Sequence, residues 1–149
     1  MGEIGAAVAS ESIEPAPAAV VVDASALIFA TTDDVPHARG LRKRLGRDTC
    51  HAPHLIDAEL GNVLRRMAHR GEMSRAHAEA VLHTAPALVD LRHDHRGALA
   101  AAAWRLRDNV TFYDGLYVAL AAALNVVLLT DDKRLASAPN LPCAVESVR

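Results

Sequence analysis

Two aspartate positions come directly after short apolar runs of the sequence. Asp23 closes the run VVVD, and Asp131 and Asp132 close the run VVLLTDD. Val- and Leu-rich runs of this length predict buried strands, and strands that are apolar on both faces favour a parallel sheet covered by helices. Ligands of such sheets bind beyond the carboxyl ends of the strands. Because clustered carboxylates repel one another, a site built from them implies a bound cation and indicates a metal-dependent enzyme.

Two further carboxylates lie near the start of predicted apolar helices. Glu59 lies in LIDAELGNVL and Asp114 in YDGLYVALAAAL. Three of the acidic residues have an ordinary interpretation when taken alone: Glu59 as an exposed helix residue, Asp114 as a complement to the helix dipole, and Asp132 as a helix N-cap. Asp23 is harder to explain, because a carboxylate at the end of a VVV strand is costly to bury without partners. Together the four residues favour a single site.

Polar residues accompany Glu59 along its helix. Asn62 follows it by three positions and Arg66 by seven, so the three side chains share one helix face. A carboxylate, an amide and a guanidinium on one stripe suit a wet cleft that faces phosphate better than a core. The clustered arginines at positions 42–47 and 65–70 are also consistent with two solvated helix faces.

The composition is that of one domain with a sizeable core. The chain has 149 residues, of which 51% are hydrophobic and 3% aromatic, and its formal net charge is -2. That charge excludes a strongly cationic nucleic-acid coat but not a nucleic-acid enzyme, because local charge matters more than the total. Cys50 and Cys143 match no zinc spacing and are predicted to be small buried residues of a reduced, cytoplasmic protein. We expect neither a transmembrane helix nor a signal peptide.

Helices and short strands alternate along the chain, which predicts a three-layer α/β/α domain with a small, mostly parallel sheet over residues 19–149. Residues 1–18 are rich in Ala, Glu, Ser and Pro, and they predict a flexible N-terminal tail. Asp33 or Asp34 is expected to cap the second helix, Ser74 to cap the fourth, and Gly71 to end the third. Strands are expected at about 19–23, 49–52, 87–91, 126–130 and 143–148. Helices are expected at about 25–29, 35–45, 55–69, 75–84, 96–107, 112–124 and 133–136.

Four segments, in their order and spacing, resemble the PIN-domain proteins, specifically the VapC-type toxins of bacterial toxin–antitoxin pairs. The segments are VVVDASALI, APHLIDAELGNVLRR, TFYDGLYVALAAAL and LLTDDKRL, and the similarity covers about residues 19–149. It implies a PIN-like fold and an endoribonuclease that depends on Mg²⁺ or Mn²⁺. By motif, the acidic catalytic and metal-binding residues of the family fall on Asp23, Glu59, Asp114 and Asp132. Its supporting polar positions fall on Ser25, Asn62 and Thr130.

Two positions depart from the family pattern or blur it. Asp131 adjoins Asp132 and could share its role. Gly115 stands where a small Ala is commoner, which is expected to loosen the helix start slightly. Residues 1–18 have no counterpart in the pattern.

The resemblance also implies partners. A cognate VapB-type antitoxin would cover the groove with its C-terminal segment, and the apolar helices of residues 35–70 offer it a docking surface. A homodimer is implied, and the RNA substrate would belong to the tRNA or rRNA class. Basic residues bordering the site are expected to hold the RNA, and the candidates are Arg65, Arg66 and Arg105.

Three other functions have weaker support. An inactive PIN fold that only binds RNA or protein is disfavoured because all four acidic positions are present. An aspartyl-phosphate enzyme would need a second Asp two residues after Asp23, where the chain has a serine. A zinc site would have to use His51 and His54, or His93 and His95, without a Cys pair or an H-E-x-x-H helix.

Overall fold

Five parallel strands form one sheet at the centre of the computed structural model, which describes residues 13–149. The strands are β1 (Ala19–Val22), β2 (Thr49–Pro53), β3 (Leu91–His93), β4 (Val127–Thr130) and β5 (Val145–Ser147). Their order in the sheet is β3-β2-β1-β4-β5, and every neighbouring pair is parallel. Most of the predicted flexible tail falls on residues 1–12, which lie outside the described residues.

The described part of the chain also contains seven α-helices, which connect or flank the strands. They are α1 (Ala24–Thr32), α2 (Pro36–Arg47), α3 (Leu55–His69), α4 (Arg75–Thr84), α5 (Ala98–Arg105), α6 (Phe112–Leu124) and α7 (Lys133–Ala136). Successive residues of the central strands, such as Val21 and Val22 in β1 and Leu128 and Leu129 in β4, are all fully buried. Because successive strand residues point to opposite faces, both faces of the sheet are covered, and the predicted three-layer α/β/α architecture is confirmed.

The centre of the sheet brings two distant parts of the chain together. Val22 lies opposite Leu129 in the register of β1 and β4, so Asp23 and Thr130 leave the sheet side by side. The Asp23 backbone N–H donates to the Leu129 carbonyl oxygen at 3.2 Å and continues the pairing past β1. The chain turns to β2 on one side of β1 and reaches β4 on the other, and such a switch point is where α/β sheets bind their ligands.

Local signals account for several helix ends. α3, α6 and α7 have the bounds that the sequence predicts. Ser74 caps α4 as expected, since its side chain accepts from the His77 backbone N–H at 3.1 Å. Gly71 follows α3 with a φ of +70°, a left-handed conformation that glycine adopts without steric cost.

The third strand was predicted at 87–91 and is found at Leu91–His93. Pro86 instead lies in the first turn of a short 3₁₀ helix, Ala85–Leu88, and the Arg92 guanidinium donates to the Pro86 and Val89 carbonyl oxygens. These bonds stabilise the turn, so the extended conformation starts only where β3 meets β2. The last strand is likewise shorter than the predicted 143–148.

The prediction that Asp33 or Asp34 caps the second helix is wrong. Val35 occupies the N-cap of α2 and makes no side-chain cap hydrogen bond. Pro36 starts the helix, and because it lacks an N–H it leaves one donor fewer to satisfy. Asp33 ends α1, which runs for nine residues rather than the single turn expected, and Asp34 pairs with Arg39 at 3.1 Å.

The two cysteines are both free, as expected, but only one is fully buried. Cys50 lies in β2 with 0% of its surface exposed. Cys143 is half-buried and precedes β5, because that strand begins only at Val145. Within residues 13–149, no helix is both long enough and apolar enough to cross a membrane.

Candidate active site

The side chain of Asp23 is buried at the carboxyl end of β1 and is held by three donors. The residue is 5% exposed. Its Oδ1 accepts from the Ser25 hydroxyl at 2.7 Å and from the Ala26 backbone N–H at 2.9 Å, which also caps α1. Its Oδ2 accepts from the Thr130 hydroxyl. One carboxylate thus joins the ends of β1 and β4 and has a fixed orientation.

Ser25 and Thr130 extend this network to the loop that follows β4. Their hydroxyl oxygens lie 3.2 Å apart. The Asp131 backbone N–H donates to Ser25 Oγ at 2.9 Å, and the Asp132 N–H donates to Thr130 Oγ1 at 3.0 Å. The two hydroxyls therefore position the acidic loop relative to Asp23.

Asp131 and Asp132 point in different directions. Asp132 is the N-cap of α7, where its Oδ1 accepts from the Arg134 backbone N–H at 2.8 Å, and its Oδ2 lies 3.5 Å from the Arg134 guanidinium. Asp131 instead accepts from Arg149 Nε at 2.7 Å. The same guanidinium contacts Asp33 at 3.4 Å and lies 4.2 Å above the Phe29 ring. Asp131 thus pairs with Arg149, whereas Asp132 contacts Arg134.

Glu59 is anchored to the neighbouring helix. Tyr117 on α6 donates its hydroxyl hydrogen to Glu59 Oε1 at 2.6 Å. Burial raises the pKa of Glu59, the negative charge of Asp114 adds to the rise, and the Tyr117 hydrogen bond opposes it. Burial also raises the pKa of Tyr117, so this hydroxyl remains a donor at every physiological pH.

Asp114 connects the four carboxylates electrostatically. It lies in the first turn of α6, where Thr111 caps the helix by accepting from the Asp114 backbone N–H at 3.2 Å. Burial raises the pKa of Asp114, and the charge of Asp132 raises it further while Arg134 lowers it. Burial raises the pKa of Asp23 to about 6 against its three hydrogen bonds, and Asp114 contributes to that rise too. The pKa values of Asp23, Glu59 and Asp114 are therefore raised mainly by burial, and a neighbouring carboxylate raises each of them further.

This cluster has the chemistry of a site for a hard divalent cation. Its side-chain donors are carboxylate and hydroxyl oxygens, with no Cys or His among them, and such donors suit Mg²⁺ or Mn²⁺. Burial raises the pKa values of Asp23, Glu59 and Asp114 and repulsion between neighbouring carboxylates adds to the rise, so a bound cation would favour their ionised forms. Across residues 13–149, no three His, Cys, Asp or Glu side chains are already arranged to hold a metal ion. Mg²⁺ commonly keeps several water ligands and needs only one or two carboxylates, so the donor set fits it.

The profile of the PIN domain matches residues 20–141 of the sequence. Ribonuclease VapC1 of Mycobacterium tuberculosis is 50% identical over 129 residues, which cover 87% of this chain and 97% of that protein. The chain belongs to the VapC group of the PIN-domain family. Ribonuclease VapC3 of the same organism is 39% identical over 122 residues, covering 82% of this chain and 88% of that protein.

Two solved structures share the fold of this chain. The crystal structure of PAE2754 from Pyrobaculum aerophilum superimposes with a TM-score of 0.65 at 26% identity, covering 88% of this chain and 92% of that one. A DNA-bound VapBC from Salmonella typhimurium gives a TM-score of 0.64 at 15% identity, covering 87% and 98%. The resemblance to PIN-domain VapC proteins that the sequence motifs indicated is confirmed.

The structure brings some of the predicted polar residues of this VapC-group protein to the carboxylates and not others. Arg66 lies close enough to Glu59 to oppose the rise of its pKa. Asn62 is exposed on α3, one turn beyond Glu59. Arg65 lines a groove between α3 and α4 that holds none of the four carboxylates, and Arg105 is exposed at the end of α5.

Two residues with contacts at the site were missed from the sequence. Tyr117 follows Asp114 by three positions, so a search for polar groups on the same helix face would have found it. Arg134 lies in the short helix α7 and acts on both Asp114 and Asp132. The sequence carried no signal for Arg134, because its proximity to Asp114 depends on the tertiary fold, which brings both residues to one pocket.

Proposed function

We propose that this chain is a VapC-type endoribonuclease toxin that hydrolyses RNA phosphodiester bonds with the help of a divalent cation. The observation that carries this proposal is a group of four carboxylates: Asp23 and Asp132 follow β1 and β4, and Glu59 on α3 and Asp114 on α6 complete the group. Asp114 is electrostatically linked to each of the other three. The relatives named ribonucleases, at up to 50% identity over nearly their whole length, support the same reaction for this chain.

The residues proposed to hold the cation are Asp23, Asp114 and Asp132, with Glu59 either binding it or orienting the attacking water. A divalent cation bound there would lower the pKa of a water molecule and offset negative charge on the leaving 3′ oxygen. Ser25 and Thr130 keep the Asp23 carboxylate fixed, so little reorganisation is needed when charge develops. Glu59, held by Tyr117, is the group proposed to accept a proton from the attacking water.

The ion is proposed to be Mg²⁺ or Mn²⁺, because the donor atoms are oxygens.

Asn62 and Arg66 would contact phosphate at the edge of the cleft, because both continue the Glu59 face of α3. We place the PIN domain at residues 19–149, slightly beyond the matched range of 20–141. Of the RNA contacts predicted from sequence, Arg66 has the best support because it acts on Glu59.

A VapB-type antitoxin is the proposed partner, supported by the VapC names of the relatives. A groove of about 370 Å³ between α3 and α4, lined by Gly61, Leu64, Ala68 and Leu82, is a suitable surface for one of its apolar segments. Leu82 is 42% exposed in this groove, which is a high exposed fraction for a large apolar side chain. A homodimer, a tRNA or rRNA substrate and a cytoplasmic location complete the proposal.

Cleavage of RNA by the purified chain tests the proposal. Total RNA is incubated with the wild-type chain and with Asp114→Asn, each in Mg²⁺, in Mn²⁺ and in EDTA. Discrete fragments that require the cation and disappear in the variant are expected, and attack by water predicts 5′-phosphate and 3′-hydroxyl ends. Cyclic 2′,3′-phosphate ends would contradict hydrolysis by an activated water. RNA binding without cleavage in either metal would support the inactive binding module instead.

A further inference from the structure

Three of the five Phe, Trp and Tyr residues are exposed at one corner of the molecule. Trp104 is 58% exposed at the end of α5, and Phe112 and Tyr113 are 38% and 57% exposed at the start of α6. The other two, Phe29 and Tyr117, are buried. α5 and α6 pack closely here, since a Cβ on Gly115 would lie 3.1 Å from the Ala103 carbonyl oxygen. Large rings are seldom left in water at such density without a ligand to cover them.

A pocket next to this corner reaches the candidate active site. It has a volume of about 380 Å³ and lies between the loop of residues 107–111 and α7. Arg107, Thr111, Asp114 and Arg134 are among its lining residues. Arg107 connects the pocket to Trp104, because its guanidinium lies 5.2 Å from the centre of the indole ring and donates to the Trp104 carbonyl oxygen at 3.0 Å. Asp114 is thus shared by the pocket and the carboxylate cluster.

The geometry points to a subsite for single-stranded RNA at this pocket, in which Arg107 and Arg134 contact phosphates flanking the cleaved bond and a base stacks on Trp104. This inference rests on the proposed nuclease function and assigns it a substrate-binding surface. Aromatic faces next to guanidinium groups are how proteins hold unpaired nucleotides, since every base has a face to stack. A base inside a duplex has no free face, so the strand at this corner must be unpaired.

Two features favour RNA over a protein as the ligand of this pocket: the pocket adjoins the carboxylates, and arginines line it. Asp114 lines both the pocket and the carboxylate cluster, so RNA bound at the carboxylates can extend into the pocket without a break. Asp108 also lines the pocket and Asp132 lies 3.5 Å from Arg134, so these acids offset part of the positive charge in the absence of RNA. The Arg134 side chain is 92% exposed, so its pairing with Asp132 is weak and leaves the guanidinium free to contact a phosphate.

Trp104 is the single tryptophan of the chain, which gives a direct signal. The full chain is titrated in EDTA with an unlabelled, single-stranded oligouridylate, and the fluorescence emission of Trp104 is recorded. Stacking predicts saturable quenching, and the same midpoint is expected from anisotropy with a labelled oligonucleotide. Trp104→Ala is expected to weaken binding about tenfold, and Trp104→Phe to retain most of it. Binding by anisotropy with unchanged Trp104 emission would overturn the inference.

The arginine contribution is separated from the stacking contribution by salt. Arg107→Ala should lower the slope of log K against log salt by about 0.7, the value for one phosphate contact on a single strand, whereas Trp104→Ala should leave the slope unchanged. Arg70→Ala, which removes an exposed arginine at the end of α3, is the matched control and should change neither quantity. Equal effects of Arg107→Ala and Arg70→Ala would overturn the inference.

Failure of this inference can be told from failure of the nuclease proposal, because binding is measured in EDTA and cleavage separately. If the wild type cleaves RNA but RNA does not quench Trp104, the subsite inference is wrong and the nuclease proposal stands. Trp104 emission that depends on protein concentration without RNA would assign this corner to contact between two copies of the chain, and it would overturn the RNA subsite.

Discussion

Tyr117 Oη lies 2.6 Å from Glu59 Oε1, and this hydrogen bond joins α6 to α3 beside the proposed catalytic carboxylates. The bond favours the ionised form of Glu59 against the effect of burial. Tyr117→Phe keeps the buried ring and removes only the donor. We expect the fold to persist and cleavage to fall about tenfold, as is typical when a group that orients an active-site residue is lost.

The pH dependence of cleavage by Tyr117→Phe distinguishes an effect on Glu59 from a general loss of stability. Without the Tyr117 donor, the pKa of Glu59 should rise, so the acidic limb of the rate profile of Tyr117→Phe should move to higher pH. Rates measured across pH in Mn²⁺ give this limb directly. A profile that is only scaled down, with its acidic limb unmoved, would argue that Tyr117 acts through packing alone.

Asp23 should destabilise the metal-free protein at neutral pH. Its folded pKa of about 6 lies above that of the unfolded chain, so the ionised form is favoured by unfolding. Its contribution to stability is present below about pH 4 and is lost as the pH rises through about 6. Asp23→Asn should therefore raise the free energy of unfolding at neutral pH in EDTA, by roughly 3 kcal/mol at most. Urea unfolding at neutral and acidic pH measures the difference, which should shrink on acidification.

The same pair of proteins tests the cation. Mn²⁺ should stabilise the wild type, because a ligand that binds only the folded state adds to its stability. It should have little effect on Asp23→Asn. Equal stabilisation of both proteins by Mn²⁺ would show that the cation binds elsewhere.

Asp131 and Asp132 should differ in their effect on cleavage. Asp132→Asn keeps an N-cap for α7, because asparagine caps helices as well as aspartate does, so loss of cleavage in this variant cannot be attributed to the helix. Asp131→Asn weakens the bond to Arg149, whose side chain is about half exposed, so the effect on stability should stay below about 1 kcal/mol. The cleavage rates of the two variants show which aspartate is needed. Equal losses of cleavage would mean that Asp131 shares the proposed metal-binding role of Asp132.

Asp48 is expected to matter for stability and not for chemistry. Its side chain is 1% exposed and accepts from Arg47 at 2.8 Å and Arg44 at 3.3 Å, and the Ala18 N–H also donates to it. Hydrogen bonding by Arg47 holds the pKa of Asp48 below its usual value, although burial opposes this. Asp48→Asn should cost about 2 kcal/mol at neutral pH.

The pH dependence of Asp48 should have the opposite sign to that of Asp23. Because the folded pKa of Asp48 is lowered, its stabilisation is present above about pH 4 and is lost as the pH falls further. Urea unfolding of Asp48→Asn and the wild type should therefore converge in acid. Cleavage per folded molecule should be unchanged in the variant, and a specific loss of activity would refute a purely structural role.

The structural features that the sequence predicts are those with a local cause. Apolar runs located β1 and β4, and the rule that ligands bind beyond strand ends singled out Asp23 and the acidic loop at 131–132. Contacts across the fold had no such signal. Arg149 meets Asp131, and Tyr117 meets Glu59 across 58 positions, only because of how strands and helices pack.

Gly115 shows the same limit at a single position. Helix propensity predicts that this glycine loosens the start of α6. The structure supplies a reason for it, because a Cβ there would lie 3.1 Å from the Ala103 carbonyl oxygen and 3.4 Å from the Ala103 Cβ. The glycine lets α5 approach α6 closely, and helix propensity alone carried no information about that neighbour.

Calorimetric titration of Mn²⁺ into the wild-type chain and into Asp114→Asn shows whether the carboxylates bind the cation. Cleavage of RNA is followed on the same samples. We predict that the wild type binds the cation, that Asp114→Asn binds it at least about tenfold more weakly, and that half-maximal cleavage by the wild type occurs near the measured Kd. Cleavage that proceeds in EDTA, or cation binding that Asp114→Asn leaves unchanged, would contradict the assignment of the four carboxylates to a metal-dependent active site.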